Sequence, residues 1–399
     1  MKNSLAIKIS SISVVATVFF SSIATAAPLK AVRFDEVKLG LDERLSSDCE
    51  SERCSLVRDN GLLDNKWNEV SRNNLKQAID NSLYYLSTPK AAKDYHQSQS
   101  KFDLARVRRS LVRFRQLLLT SNSPADLAQA VEAEFVLYQS IGKDRLGTVE
   151  FTGYFEPLFK ASRVPTAEYR YPLYRLPTLA EGNHPTRIEL EGTDGLGNAR
   201  SILAGYELVW LRDRLEAYLV QVQGAAKLQL TDGTIMSVGY GGSTDYPYVS
   251  IGGELVKDSV FAKEELSLPK LINYFKEHPD LLDKYIPRNN RFIFFRETNG
   301  AAPTGSLGVP VTGDRTIATD KSLMPPGALA LIVAPIPKAM PTGEIATKTT
   351  SQYVLDQDTG SAIKGAGRVD IFLGSGAIAG ERAGRLNGTG KLYYLLLKE

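Results

Sequence analysis

The feature that most restricts this chain of 399 residues is a change of texture at Gly147. Before it, apolar residues recur at three- and four-residue steps. After it, short β-branched and aromatic runs alternate with glycine and proline. The first pattern predicts helices. Asn74–Leu86 carries Leu75, Ile79 and Leu83, and Ser100–Leu119 carries Leu104, Val107, Leu111 and Leu118. Ser123 suits the N-cap of a third helix over Pro124–Ile141, with Leu127, Val131, Phe135 and Tyr138 on one face. The second pattern predicts strands at Thr148–Phe151, Tyr206–Trp210, Tyr218–Gln223, Phe292–Phe295 and Ala328–Val333, with one helix near Leu266–Phe275. Many short strands at uneven spacing suit barrels better than an alternating parallel sheet. Neither an internal repeat nor a low-complexity tract is visible.

The N-terminus predicts export. Lys2 and Lys8 flank the start of an apolar stretch, Ile9–Ile23, and Ala24-Thr25-Ala26 is small at both positions a signal peptidase reads. The reading is a cleaved leader over residues 1–26. A retained anchor fits less well, because serines interrupt a run that is short for a membrane span. No cysteine directly follows the apolar region, so a soluble exported form without a lipid anchor is expected. Cys49 and Cys54 are the only cysteines, and an oxidising compartment would pair them into a small local loop. His96, His184 and His278 lack metal-ligand spacing, so neither metal nor cofactor is expected. A net charge of +3 with no basic tract gives no reason to expect nucleic acid.

Three acids stand out in the C-terminal third: Asp320, Asp358 and Asp370. In Arg368-Val369-Asp370-Ile371-Phe372 the residues alternate, so Asp370 faces opposite to Val369 and Ile371. Such an acid is either solvated on an outer face or set in a cleft. In a cleft it could protonate a glycosidic oxygen, if its surroundings raised its pKa. Apolar Phe372 and neighbouring carboxylates both push in that direction. A hydrolase adds a second carboxylate; Glu156 is the candidate for that, or for contact with sugar.

A series of segments in one order resembles the membrane-bound lytic transglycosylase A family, from about Gly147 to Leu397. They are Phe151-Thr152-Gly153-Tyr154-Phe155-Glu156-Pro157, Tyr171-Pro172-Leu173-Tyr174, Pro185-Thr186-Arg187, Val222-Gln223-Gly224, Tyr240-Gly241-Gly242 and Tyr248-Val249-Ser250-Ile251-Gly252. Phe292-Ile293-Phe294-Phe295-Arg296, Gly308-Val309-Pro310, Asp320, Gln357-Asp358-Thr359-Gly360, Ala362-Ile363-Lys364-Gly365, Asp370 and Ala379-Gly380-Glu381-Arg382-Ala383-Gly384 complete the series. The resemblance implies a mainly β fold with N-terminal helices. A double-psi β-barrel domain (301–399, the three-aspartate region) and an inserted second β-barrel (161–300) would flank a substrate groove. The segment 27–160 would pack on the first barrel. It also implies that Asp370 is a single general acid/base. That acid would cut the bond from N-acetylmuramic acid to N-acetylglucosamine in peptidoglycan and close a 1,6-anhydro ring without water or cofactor.

Around it, Asp320 and Asp358 would be supporting groups or turn-capping residues. Lys364 and Arg368 would line the groove or remain solvated surface charges. Tyr154, Tyr240 and Tyr248 would be sugar platforms or core residues. Gln223, Gly224 and Ser250 complete the substrate-binding candidates. Departures from the family pattern, at Ala225-Ala226, Ser243-Thr244-Asp245 and Gly360-Ser361, fall on subsite contacts and leave Asp370 intact. The implied partner is the glycan strand, met by a monomer in the periplasm or at the outer membrane; a place in a wall-synthesis or division complex stays open. Two other classes were weighed. Asp358-Thr359-Gly360 resembles half of an aspartic protease site, but the chain has no second such triplet. Double-psi barrels also occur in proteins that bind wall polysaccharide without cutting it.

Overall fold

The computed structural model describes residues 27–37, 41–46, 66–98, 100–197, 200–263, 265–340 and 342–399. The leader and the Cys49–Cys54 pairing lie outside these residues. The chain opens with β1 (Leu29–Val32) and then four helices, α1 (Glu69–Tyr85), α2 (Pro89–Gln97), α3 (Leu104–Thr120) and α4 (Pro124–Glu134). Each helix starts on a side-chain cap: Asn68, Thr88, Asp103 and Ser123 each accept a backbone N–H of the first turn.

The third predicted helix ends early. Phe135–Ser140 is strand β2, with Phe135 and Leu137 buried. Apolar residues at 135 and 137 also suit a strand that buries alternate positions, and pairing on both sides decides the outcome. β2 is bonded to β1 and to the last strand of the chain.

The remaining strands are β3 (Val149–Glu156), β4 (Leu158–Ser162), β5 (Tyr171–Tyr174), β6 (Glu207–Leu211), β7 (Ala225–Leu230), β8 (Ile235–Ser243), β9 (Ile293–Glu297), β10 (Thr316–Ala318), β11 (Leu329–Ala339), β12 (Ile345–Asp358), β13 (Arg368–Ser375) and β14 (Asn387–Leu397). They form two sheets. In the first, β14, β11, β12, β10, β13 and β3 pair in that order, and β3 pairs back onto β14. This is a closed six-stranded barrel, to which β2 and β1 are appended. Two of its ladders are parallel, β10 with β12 and β13 with β3. By register, one face of its strands, the interior, holds Ile317, Ala330, Val354, Val369, Ile371 and Tyr394. Burial of each such aliphatic side chain stabilises by roughly 1.5–3 kcal/mol.

The second sheet has the order β5-β6-β4-β7-β8-β9. It curls so that its two end strands face each other, with the Tyr174 and Phe292 rings 6.1 Å apart. Val209, Leu228, Val238 and Phe295 fill it. Six helices accompany the sheets: α5 (Arg187–Glu191), α6 (Arg214–Gln223), α7 (Ile251–Lys257), α8 (Leu268–Glu277), α9 (Leu282–Tyr285) and α10 (Ala377–Arg385). The expected strand at Tyr218–Gln223 is the second half of α6. Asp213 caps its N-terminus and Gly224, left-handed at φ 79°, ends it. Those two end signals prevail over the β-branched and aromatic residues between them.

The chain crosses between sheets at a single residue, Pro157, and returns after β9. Two contacts fix the second sheet against the barrel here. The Pro157 carbonyl accepts from the Lys227 amide at 2.8 Å. Gly384 of α10 approaches α8 so closely that a Cβ there would lie 2.7 Å from Pro269 Cδ.

Candidate active site

The barrel register sets one row of residues across four strands. Ala318 of β10 pairs with Asp358 of β12 on one side and with Asp370 of β13 on the other. Asp370 in turn pairs with Thr152 of β3. Residues paired in register share a face, so two carboxylates flank the short side chain of Ala318. Val369 and Ile371 point into the barrel core and are fully buried, as the alternation predicts, while Asp370 keeps 22% of its side-chain surface open.

Among the described residues, the polar contacts of Asp370 fall on one oxygen. Oδ1 accepts a short hydrogen bond from the Thr152 hydroxyl, and Arg368 Nε approaches it at 3.4 Å. Arg368 also donates to Thr152 Oγ1 at 3.0 Å, which ties the three side chains together. Burial pushes the Asp370 carboxyl above the ordinary aspartate range. The Arg368 charge opposes this, and the Asp358 charge adds to it.

Asp358 is held on both oxygens. Oδ1 accepts from the amides of Ser306 and Thr359, each at 2.8 Å, and Oδ2 accepts from the Tyr154 hydroxyl at 2.9 Å. Burial raises its pKa, against the pull of those donors and of Lys321. The Tyr154 ring lies 5.2 Å from that of Phe372, its neighbour across the β3–β13 ladder. Beneath Asp358 sits a buried network. Asp356, fully buried, accepts from Tyr394 at 2.6 Å and from Thr319 at 2.7 Å, and makes a short ion pair with Lys321. Lys321 also donates to the Asp358 carbonyl. Asp356 is not singled out by the sequence, because residues 351–357 of β12 are buried on both faces and show no alternation.

The other predicted residues are distributed as follows. Tyr248 comes across from the second sheet, close enough to Asp370 and Arg368 to feel both charges, and its hydroxyl faces those of Tyr218 and Ser250. Asp320 uses both oxygens on loops: Oδ1 caps its own turn, accepting from Ser322 N and Oγ at 3.1 and 2.7 Å, and Oδ2 caps the loop before β13, accepting from Gly365 N at 2.8 Å. Burial opposes the charge on Asp320, but these donors, with help from exposed Lys364, hold its pKa below the ordinary range. That is the turn-capping arrangement. Gln223 accepts from the Phe155 amide at 3.1 Å, joining the end of α6 to β3. Gly224 ends that helix. Tyr240 is half exposed on β8, with its hydroxyl on Ser243 at 3.1 Å.

Glu156 is 2% exposed, accepts from Ser375 at 2.5 Å and lies 3.7 Å from Lys227. It pairs in register with Ser375, five positions along β13 from Asp370. At about 3.3 Å per residue that is roughly 16 Å, too far for a two-carboxylate hydrolase, which needs about 5–9.5 Å. Past Phe372, between Ser375, Glu156, Lys227 and Pro303, opens a cleft of about 320 Å³. Among the described residues, no group of three or more His, Cys, Asp or Glu side chains could hold a metal ion.

Residues 150–296 match the MltA specific insert domain, and residues 315–396 match the 3D domain. The chain is 30% identical to membrane-bound lytic murein transglycosylase A of Escherichia coli K12, over 65% of this chain and 68% of that one. It is 30% identical to the protein of the same name in Vibrio cholerae, over 75% of this chain and 79% of that one. The chain belongs to the membrane-bound lytic murein transglycosylase A family. The crystal structure of a membrane-bound lytic murein transglycosylase from Agrobacterium tumefaciens superimposes with a TM-score of 0.64 at 28% identity, covering 82% of this chain and 93% of that one. The insert match spans β4 to β9, the whole second sheet, and the 3D match spans β10 to β14. In this family member, then, the row from Asp358 to Asp370 lies within the 3D domain, and Thr152 and Tyr248 approach it from the stretch matched to the insert.

Proposed function

We propose that this protein is a peptidoglycan lytic transglycosylase in which Asp370 alone serves as general acid and then general base. The family supplies the activity class. The single observation that carries the assignment is the state of Asp370: a carboxyl with raised proton affinity, anchored through Oδ1 and partly open. Protonated, it gives its proton to the oxygen linking N-acetylmuramic acid to N-acetylglucosamine as the C1–O bond breaks. The carboxylate left behind takes the proton of the muramic C6 hydroxyl while O6 bonds to C1. The proton returns to Asp370, no water enters, and one new end is a 1,6-anhydro sugar. Acid–base assistance of this kind is worth about 10²–10⁴ in rate.

Asp358 is a tuning group in this scheme. Both of its oxygens accept hydrogen bonds from the protein, which hold the group in place, and its charge disfavours ionisation of Asp370. Replacing Asp358 with Asn removes that charge and lowers the Asp370 pKa. The acid form is then lost at lower pH, so the alkaline limb of the kcat profile moves to lower pH. An unmoved or opposite limb would remove Asp358 from this role.

Among the described residues no helix is long and apolar enough to cross a membrane. We read the N-terminus as an export leader and the protein as acting on glycan strands of the wall as a soluble monomer. Digestion of purified peptidoglycan tests the whole reading by mass spectrometry of the fragments. Anhydro-ended muropeptides are expected; reducing ends would mean a hydrolase, and binding without release a wall-binding module.

A further inference from the structure

Opposite Asp370, the loop between β8 and α7 is held from behind by a buried polar cluster that the proposed mechanism does not use. Asn289 is 3% exposed. Its Oδ1 accepts from the Val249 amide at 3.1 Å, a group that can only donate. This fixes the carboxamide, so Nδ2 donates to the Tyr218 hydroxyl at 3.2 Å. Arg187, 1% exposed, locks the frame. Its Nε donates to the Asn289 carbonyl at 2.6 Å, its Nη2 to the Arg291 carbonyl at 2.6 Å and to Gln221 at 2.8 Å, and its Nη1 pairs with Glu191 at 3.0 Å. The same guanidinium lies 5.4 Å from the centre of the Tyr218 ring.

Having accepted from Asn289, the Tyr218 hydroxyl has its own proton to give, and the Tyr248 hydroxyl faces it. Tyr248 also meets the Ser250 hydroxyl, and with both neighbours donating it can turn its own proton to the space it shares with Asp370 and Arg368. Hydrogen bonds in such a chain polarise one another in one direction. We propose that Asn289 and Tyr218 are positioning residues that order Tyr248 as a hydrogen-bond donor into the cleft beside Asp370, toward a carbonyl or hydroxyl oxygen of a bound glycan. The glycan as ligand rests on the function proposed above; the donor chain is read from the cluster itself.

The test is a binding cycle, separate from bond cleavage. In the Asp370→Asn protein, which is expected to hold substrate without turnover, Kd for chitohexaose is measured by calorimetry for Tyr218→Phe, Tyr248→Phe and the double variant. Tyr218→Phe keeps the ring and its contact with Arg187. Tyr248→Phe should weaken binding about tenfold and Tyr218→Phe about threefold to tenfold, in line with loss of one hydrogen bond. The double variant should bind no worse than Tyr248→Phe alone, because Tyr218 acts only through Tyr248. Asn289→Ala provides a second entry to the same cycle and should likewise lose its effect in the Tyr248→Phe background. Multiplying effects would mean that Tyr218 acts through the fold and not through Tyr248, and would overturn the proposal. So would unchanged Kd in either single variant, or failure of the parent to bind. Absence of anhydro products from the unmodified protein would instead strike the proposed reaction and leave the cycle readable.

Discussion

Asp370→Asn is expected to lower release of anhydro-muropeptides by about 10³-fold or more while the protein stays folded. The size follows from the role: the side chain serves as acid and then as base in one turnover, and each assistance is worth about 10²–10⁴. Asn keeps the volume and an oxygen for the Thr152 hydroxyl and Arg368, but it cannot carry the proton. Stability should respond in the opposite sense to activity. The carboxyl has a higher pKa in the folded protein than in the unfolded chain, so its contribution is present below the unfolded pKa and lost as pH rises through the folded one. Above that window the Asn variant should melt no lower than the parent. Thermal unfolding at acidic and alkaline pH, run beside the digestion assay, reads both effects. A variant with more than a tenth of normal turnover would remove Asp370 from its role.

The second large effect concerns the floor of the site. Asp356→Ala removes a fully buried carboxylate that accepts from Tyr394 and Thr319 and pairs with Lys321. The ammonium group of Lys321, only 16% exposed, is left without that countercharge. Removing one partner of a buried pair costs about 3–5 kcal/mol, and denaturant unfolding should show a loss of that order. Because Lys321 also holds the Asp358 carbonyl, activity should fall as well. A loss below about 1 kcal/mol would mean that Lys321 relaxes into solvent and the network contributes little.

Legibility in the sequence followed the range of the forces involved. The strand bearing Asp370 and the facing of its side chain could be read from alternation over a few residues, and three of the four N-terminal helices from their periodicity and caps. α6 was misread as a strand because Tyr218, Val220 and Val222 favour extended backbone; the signals that mattered were at its ends, Asp213 and Gly224. β2 was misread as helix because its partners lie at the two extremes of the chain. Local propensity cannot register pairing at such separation. The active-site row was partly visible. Family likeness drew attention to Asp358 and Asp370, but the small Ala318 between them, the hydroxyl of Thr152 and the Asn289–Tyr218 support are consequences of register and burial. Asp320 shows the converse, a residue prominent in its motif whose bonds go to its own turn, through Ser322, and to the backbone of Gly365 in a second loop.

Thr152 and Asp370 touch although they are separated by 218 positions in the chain. The strand carrying Thr152 is made early, and nearly the entire second sheet must be synthesised before the strand that completes its ladder exists. Until then β3 is an unsatisfied edge, open to the wrong neighbours. Asp370 and its Thr152 anchor can therefore meet only after the intervening insert has been made. A chain that stopped before β13 would carry the whole insert stretch yet lack the carboxyl proposed to cut the glycan.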